Sequence, residues 1–235
     1  MTLKVPFKEA WTGQADCRHC ALRESALFAG LREGDFEKIH HPINQFILQP
    51  GQILYRAGEA GDRLFTIRRG ILKLVQYLPD GSQRIVRLIR SADVAGLEAM
   101  VMKPYDHDAI VVQEAEVCCL PVHTLQLLSK ENPELHVELL KRWQRALSEA
   151  DAWLTELSTG SARERVARLL LRLVRDEHSD ECQLFGREDL GAMLGITTET
   201  ASRTVAEFKR QGLLADLGSN RYRVDAAKAE AILED

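Results

Sequence analysis

Residues 187–205 read REDLGAMLGITTETASRTV, a pattern that predicts two short helices joined by a tight turn. The apolar spacing places the first helix at Arg187 to Leu194 and the second from about Thr198 to Gln211. Gly195-Ile196-Thr197 forms the turn, and two short helices joined in this way are a helix-turn-helix. A further turn at Gly218 to Asn220, between two short apolar strands, adds a β-hairpin wing.

The N-terminal half of the second helix carries the candidate base-reading residues. They are Thr198, Glu199, Ser202 and Arg203. This half reaches base edges when such a helix enters the major groove. There, Arg can bond both acceptors of a guanine and Glu can accept from a cytosine amino group. The candidates for phosphate contacts are Arg187, Lys209 and Arg221, with Arg210 and Arg223. Thr197 is the expected N-cap.

Composition describes an ordinary globular chain and gives no global sign of nucleic-acid binding. Of 235 residues, 45% are hydrophobic and 28% are charged, which is too apolar for a disordered chain. The net charge is −4, from 31 Lys+Arg and 35 Asp+Glu, so a DNA-binding surface must be local. The alternative for the C-terminal segment is therefore a helical hairpin with solvated charges.

No segment of the sequence is typical of a secreted or membrane protein. No apolar run approaches the ~20 residues that span a bilayer. The N-terminus mixes Lys4, Lys8 and Glu9 with apolar residues, unlike a signal peptide. The five cysteines are odd in number, which favours reduced thiols over a disulfide framework. We expect a cytoplasmic protein with no membrane partner.

Upstream, from about Phe46 to Pro121, short apolar segments alternate with turn residues. The breaks fall at Pro50-Gly51, Gly58 to Asp62, Gly70 and Pro79-Asp80-Gly81. Asp80-Gly81 between two apolar segments is a strong hairpin signal. Many short strands at such spacing predict a sandwich or barrel of roughly 75 residues.

A long helix should connect these two parts, from Asn132-Pro133 to about Leu157. Its a/d seam consists of Leu140, Trp143, Leu147, Ala150, Leu154 and Leu157. A second stripe consists of Leu139, Ala146 and Trp153. Two apolar stripes on one helix are explained if one stripe packs on the β-domain and the other on a partner chain. The alternative is that the helix packs on a single core within its own chain. We interpret the seam as a homodimer interface. Ser161 and Glu164 then fit a capping box for the next helix.

The order of barrel, long helix and winged helix-turn-helix resembles the CRP/FNR family of bacterial transcription regulators, from about Cys17 to Val224. The segments that carry the resemblance are Gly58 to Gly81 and Glu188 to Arg203. Glu199-Thr200-x-Ser202-Arg203 is similar to the FNR-type recognition helix, whereas the CRP type has Arg in place of Thr198 and Gly in place of Ser202. The resemblance implies a dimeric activator on an inverted repeat of TTGAT-like half-sites, with RNA polymerase as a partner.

The resemblance also implies an α+β fold in four parts. Residues 1–28 are an N-terminal segment with a CxxC motif, and residues 29–131 form a cyclic-nucleotide-binding-like β-roll, a jelly-roll barrel that acts as the sensor. Residues 132–158 are the dimerisation helix, and residues 159–235 are the winged helix-turn-helix domain that binds DNA.

Cyclic-AMP-binding members of this family place Gly-Glu on the ribose and Arg-Ser on the cyclic phosphate. In this chain Gly96 is followed by Leu97, and Tyr105-Asp106 stands at the Arg-Ser position. A cyclic phosphate that lacks its Arg partner and lies beside the carboxylates of Glu98, Asp106 and Asp108 is unfavourable in a partly desolvated pocket. We expect no cyclic AMP.

Members of the FNR branch hold an oxygen-sensing [4Fe–4S] cluster on three N-terminal cysteines and one in the late β-domain. Cys17, Cys20 and Cys118 match three of these positions, but the remaining one is Ala26. Cys119 could replace it only if the strand bends, because neighbouring residues of a strand point to opposite faces. The histidines that could serve instead are His19, His40, His41 and His107. Thiol redox chemistry, another metal, haem, an organic effector and inert buried cysteines remain alternatives.

A metal-dependent β-barrel enzyme is a distant alternative. The chain shows no Gly-rich phosphate loop, nucleophile elbow or HExxH motif. His40-His41 is followed directly by Pro42, and aspartates flank His107. The sequence therefore lacks the closely grouped ligands of a cupin-like site. We expect no enzyme. A sensor or scaffold that does not bind DNA is the other alternative, and the winged helix-turn-helix argues against it.

Overall fold

A computed structural model of the chain describes residues 11–14 and 43–234. The described residues form two compact units. The first unit contains the described residues up to Gln76 together with Val86–Ser148. The second unit contains Tyr77–Ile85 together with the described residues from Glu149 onward. Within the described ranges, no helix has the length and apolar character needed to cross a membrane.

The first unit is built on an antiparallel sheet, as the short apolar segments separated by turn residues predict. Its strands are β1 (Trp11–Gln14), β2 (Asn44–Leu48), β3 (Ile53–Tyr55), β4 (Arg63–Tyr77), β5 (Gln83–Ile89), β6 (Val94–Ala95) and β7 (Asp108–Pro121). The order is β1-β2-β7-β4-β5, with β3 paired to β7 and β6 to β4. Leu64, Ile67 and Val117 are fully buried in its core. The predicted barrel of short strands is confirmed as a β-roll.

Gly70 departs from the sequence prediction, because it does not end a strand. It lies inside β4, at a φ of 91°, where the pairing with β7 shifts register. A Cβ at Gly70 would stand 2.2 Å from the backbone oxygen of Glu114. Glycine therefore permits a bulge that bends one long strand, where the sequence predicted two strands with a turn between them.

A 3-10 helix at Leu97–Val101 lies between β6 and β7, and two helices follow β7. They are α1 (Val122–Glu131) and the long α2 (Pro133–Ala152), which belongs to the first unit as far as Ser148. Leu135 and Leu139 of α2 are buried in the β-roll core, and Ala146 packs against it. The stripe that contains Leu139 and Ala146 is thus the one that packs on the β-domain, as predicted.

The chain continues from α2 into a π-helix at Trp153–Leu157, which lies in the second unit. Leu157 is wholly buried within its own chain, so its assignment to the exposed dimer seam is wrong. The π turn has a wider repeat than an α-helix and rotates later residues off the seam. The domain boundary predicted between residues 158 and 159 therefore also lies inside the second unit, which begins its C-terminal part at Glu149.

The second unit is a winged helix-turn-helix. Its elements are α3 (Ala162–Glu177), β8 (Glu181–Gln183), α4 (Arg187–Leu194), α5 (Thr198–Arg210), β9 (Leu214–Gly218), β10 (Arg221–Val224) and α6 (Ala226–Glu234). The sheet order is β8-β10-β9. The predicted capping box of Ser161 and Glu164 is present at the start of α3. Strand β8 was not predicted, and Cys182 within it is a buried core residue.

Candidate nucleic-acid interface

Helix α5 is held at both its start and its inner face. The Thr197 hydroxyl accepts a hydrogen bond from the Thr200 amide at 3.1 Å, so the predicted N-cap is confirmed. Ala201, Val205 and Phe208 are buried on the inner face. This spacing of three and four residues turns one side of the helix into the core and leaves the other in solvent.

The solvent side of α5 carries all four predicted base-reading residues. Thr198, Glu199, Ser202 and Arg203 are exposed. A guanidinium nitrogen of Arg203 donates to Glu199 Oε1, one turn earlier, at 2.6 Å. The structure therefore places a donor fork, a carboxylate and two hydroxyls on one accessible surface at the N-terminal half of the helix, the part that meets base edges in a major groove.

Arg163 of α3 fixes the other end of α5. Its guanidinium bonds Glu207 and, at 3.1 Å, Gln211, and it lies over the Phe208 ring at 5.5 Å. Arg165 donates to the Leu194 carbonyl at 2.8 Å and so holds the end of α4. Sequence reasoning missed both arginines, because their partners lie 44 and 29 positions away along the chain.

Four of the predicted phosphate ligands, Arg187, Lys209, Arg221 and Arg223, have partners inside the domain. Arg187 donates to the Tyr222 hydroxyl at 3.1 Å. Lys209 bonds Asp216 and lies 5.0 Å from the centroid of the Tyr222 ring. This hydrogen bond raises the pKa of Lys209 and lowers the pKa of Asp216. Arg221 donates to Glu181 at 2.8 Å. A phosphate must therefore compete for these cations or share them.

A second candidate surface lies on α2. Its exposed apolar side chains are Leu140, Trp143 and Leu147, which were predicted for the dimer seam. Leu154, also predicted for the seam, is exposed in the second unit. Ala150 is half-buried. Large apolar side chains at this spacing, on the side of α2 that Leu135 and Leu139 do not occupy, form a stripe that water contacts in the isolated chain.

Tyr105 occupies the interior of the β-roll where the resemblance places a phosphate-binding Arg. It is buried, it stacks on Tyr55 with ring centroids 4.0 Å apart, and its hydroxyl donates to the Arg63 carbonyl at 2.8 Å. A Cβ at Gly96 would stand 2.9 Å from the Tyr105 ring. An uncharged phenol thus stands where the anion of a cyclic nucleotide would need a cation.

The adjacent cysteines of β7 lie on opposite faces of the strand. The pairing of β7 with β2 is regular from Ala115 to Cys119, so its residues alternate there. Cys119 shares the face of the fully buried Val117, whereas Cys118 shares the face of Glu116. Burial raises the pKa of Cys119 to about 11, which keeps it a neutral thiol at physiological pH.

These positions limit the donors for an iron–sulfur cluster. Cys119 cannot join Cys118 on one cluster, because no bend brings them to the same face. His107 lies at the opposite end of β7 from Cys118. The other candidate ligands, which are Cys17, Cys20, His19, His40 and His41, lie outside the described residues. Within the described part no group of three or more potential ligands could hold a metal ion. A cluster on four thiolates does not fit this donor set.

A β-roll followed by helices and a winged helix-turn-helix with an exposed recognition helix defines the class of DNA-binding transcription regulators. Residues 45–132 match the profile of the cyclic nucleotide-binding domain, and residues 164–229 match that of the Crp-like helix-turn-helix domain. The chain belongs to the CRP/FNR family and, within it, to the FNR branch.

Curated relatives support this assignment over most of the chain. The transcriptional activator protein anr of Pseudomonas aeruginosa is 26% identical over 226 residues, 93% of each chain. The nitrogen fixation regulation protein FixK of Bradyrhizobium diazoefficiens is 27% identical and covers 92% of this chain and 93% of its own. The fumarate and nitrate reduction regulatory protein of Escherichia coli is 27% identical and covers 86% and 84%. All three relatives are named as regulators.

Solved structures show the same fold. The structure of FixK2 from Bradyrhizobium japonicum superposes with a TM-score of 0.72 at 23% identity, over 80% of this chain and 95% of that one. At this identity the match concerns the fold alone. The expected α+β architecture of β-roll, helices and winged helix-turn-helix is thereby confirmed.

Proposed function

We propose that this CRP/FNR-type regulator binds an inverted repeat of TTGAT-like half-sites as a homodimer, with α5 of each protomer in a major groove. The observation that carries the proposal is the exposed surface of Thr198, Glu199, Ser202 and Arg203. Arg203 would bond guanine and Glu199 would accept from a cytosine amino group. Arg187, Lys209 and Arg221 would contact phosphates, which supply much of the affinity.

The exposed apolar stripe on α2 supports the dimer. Leu140 and Leu147 expose 55% and 62% of their surface, on the side of the helix away from the β-roll core. Packing this stripe against a second copy removes it from water, and a two-fold axis supplies the palindrome. The names of relatives include transcriptional activators, and we extend that role and a contact with RNA polymerase to this chain.

The test is binding to a labelled duplex. An inverted repeat of TTGAT half-sites with centres one helical turn apart, ~34 Å, should bind more tightly than the same duplex with both half-sites scrambled. Light scattering should give two protomers per duplex. Equal affinity for both duplexes, with Arg203→Ala unchanged from the parent, would contradict the assignment of α5 as the reading helix.

The signal is proposed to enter through the β-roll, by oxygen or redox chemistry at Cys118 together with Cys17 and Cys20. Both cysteines are buried, but Cys118 lies on the same strand face as Glu116, whereas Cys119 shares the face of the fully buried Val117, so we assign the signal to Cys118. With three thiolates, a metal group would need a fourth ligand of another kind. Cys118→Ser should remove the change in DNA affinity that air causes in the parent. Cys119→Ser should retain that change.

An absorbance spectrum of anaerobically purified protein separates the possible signals. A broad visible shoulder that bleaches in air would support an iron–sulfur group, and a sharp intense band would support haem. A colourless protein that responds to air would support thiol chemistry. A colourless protein with no such response would contradict the redox proposal and leave an organic effector.

Buried polar atoms inside the β-roll support a second candidate signal, an organic effector. Among the described residues, the Tyr55 hydroxyl and the Arg87 Nε are buried without a hydrogen-bond partner. Burial lowers the pKa of the neighbouring His107, an effect that Glu98 and Asp106 oppose. A small uncharged molecule with acceptor oxygens would satisfy Arg87 and Tyr55 together without a further anion beside Glu98 and Asp106. Thermal stabilisation by small sugars or amides in the parent, lost in Arg87→Met, would support this second candidate.

A further inference from the structure

The outer face of the wing contains two arginines that share one carboxylate. Tyr222 and Val224 of β10 are buried, so the alternating Arg221 and Arg223 point to solvent. Glu181 lies on the adjacent strand β8, where it is paired with Arg223 in the sheet register. One Glu181 oxygen accepts from Arg221 at 2.8 Å and the other accepts from Arg223 at 2.7 Å.

Glu181 is held more firmly than a typical surface acid. Its side chain is 26% exposed, against 58% and 55% for the two arginines, and Arg223 also lies 3.4 Å from Asp180. Charge-assisted bonds from both oxygens leave the carboxylate few free acceptor sites. The hydrogen bond from Arg223 lowers the pKa of Glu181, so the pairing persists at neutral pH.

A DNA phosphate and this carboxylate are alternative partners for the same guanidinium groups. Phosphate contacts by Arg release counterions from DNA and supply the sequence-independent part of the affinity. Resting on the proposed DNA-binding function, we propose that Glu181 competes with DNA phosphates for Arg221 and Arg223 and so limits sequence-independent binding. The bases read by α5 are not involved, so the effect is the same on any duplex.

The proposal predicts the behaviour of Glu181→Gln, which keeps the shape of the side chain and removes its charge. Each arginine released to a phosphate should steepen the slope of log K against log salt by about 0.9. Over a range of 50 to 200 mM salt, that slope corresponds to about a threefold change in affinity per contact. Binding at low salt should tighten accordingly on specific and scrambled duplexes alike.

The experiment uses the full chain and a fluorescein-labelled duplex without TTGAT half-sites. Anisotropy titrations at several KCl concentrations give the affinity and the salt slope. Glu230→Gln is the matched control, because Glu230 is an exposed acid of α6 in the same unit and the exchange changes the net charge equally. Glu181→Gln should steepen the slope, and Glu230→Gln should leave it at the parent value.

A double-mutant cycle distinguishes the proposed effect of Glu181 from a general loss of folding. Arg221→Gln should flatten the slope more in the Glu181→Gln background than in the parent, where the arginine is already paired. Equal slopes for the parent and Glu181→Gln would overturn this inference while specific binding still supported the proposed function. Equal steepening by both glutamate variants would also overturn it, as a net-charge effect. A parent that binds no duplex at all would instead contradict the proposed function itself.

Discussion

Arg203 and Glu199 form an ion pair across one turn of α5, with 2.6 Å between a guanidinium nitrogen and Glu199 Oε1. Both side chains are largely solvent-exposed, at 72% and 80%. The pair has the favourable order, with the acid N-terminal to the base. An exposed pair of this kind adds little stability. Its consequence is positional, because it keeps a donor fork and an acceptor together at the edge of the helix that would meet the bases.

Exchange of Arg203 should therefore change sequence discrimination more than stability. Arg203→Ala removes the guanidinium that would bond a guanine, and about 1–3 kcal/mol of preference per half-site should be lost for the TTGAT duplex over a scrambled one. Arg203→Lys keeps the charge but lacks the rigid planar donor fork, so it should retain scrambled-duplex binding and lose part of the preference. Competition titrations with the two duplexes measure both quantities. A preference equal to the parent's in both variants would remove Arg203 from the readout.

The N-cap of the same helix gives a prediction about stability. Thr197→Ala removes the acceptor for the Thr200 amide and should lower the free energy of unfolding by about 1 kcal/mol. Thr197→Ser retains a hydroxyl at the same place and should stay close to the parent. Urea denaturation followed by circular dichroism compares them. A larger loss in Thr197→Ser than in Thr197→Ala would show that the methyl group, and not the cap, stabilises this position.

The elements that sequence reasoning located correctly depend on neighbours in the chain. Ser161 and Glu164 are three positions apart, as are Thr197 and Thr200, so their hydrogen bonds follow from local geometry. The short apolar segments within β4 are likewise a local pattern, although the turn predicted between them at Gly70 is absent. The family resemblance then supplied the order of the domains.

The features that sequence reasoning missed depend on contacts between distant segments. Glu181 pairs with Arg221 across 40 positions, and nothing in the segment Ser179 to Gln183 signals a strand. Leu157 fitted the seam because heptad spacing assumes an unbroken α-helix, and the π turn was not visible in the sequence. The opposite orientation of Cys118 and Cys119 was foreseeable from strand alternation, whereas the burial of Cys119 required the fold.

The stripe on α2 predicts that one charged substitution dissociates the proposed dimer. Leu147→Glu places a carboxylate in the centre of the apolar stripe, where an unpaired charge is costly to bury. The variant should be a monomer of parental helicity, and its DNA affinity should fall. Leu127→Glu is the matched control, since Leu127 is an exposed leucine of α1 outside the stripe. Sedimentation equilibrium gives the masses. A parental chain that is monomeric at micromolar concentration would contradict the interface.

Burial of Cys119 predicts its reactivity. With its pKa raised by burial to about 11, the thiol is almost entirely protonated at pH 8, and iodoacetamide reacts with the thiolate. Cys119 should stay unmodified in the folded protein and react fully in urea, as peptide mass spectrometry can show. Rapid modification in the folded state would mean that the strand opens there and that Cys119 remains available to a ligand.

The same thiol should also contribute to stability in a pH-dependent way. Because its pKa is higher in the folded than in the unfolded chain, the unfolded state loses its proton first as the pH rises. The contribution is complete below the usual thiol pKa and is lost as the pH rises towards about 11. Between pH 8 and 10.5 the free energy of unfolding should therefore fall more steeply for the parent than for Cys119→Ser, whose hydroxyl does not ionise in this range. Parallel slopes in urea titrations at these pH values would show that the thiol is not held in the neutral form by the core.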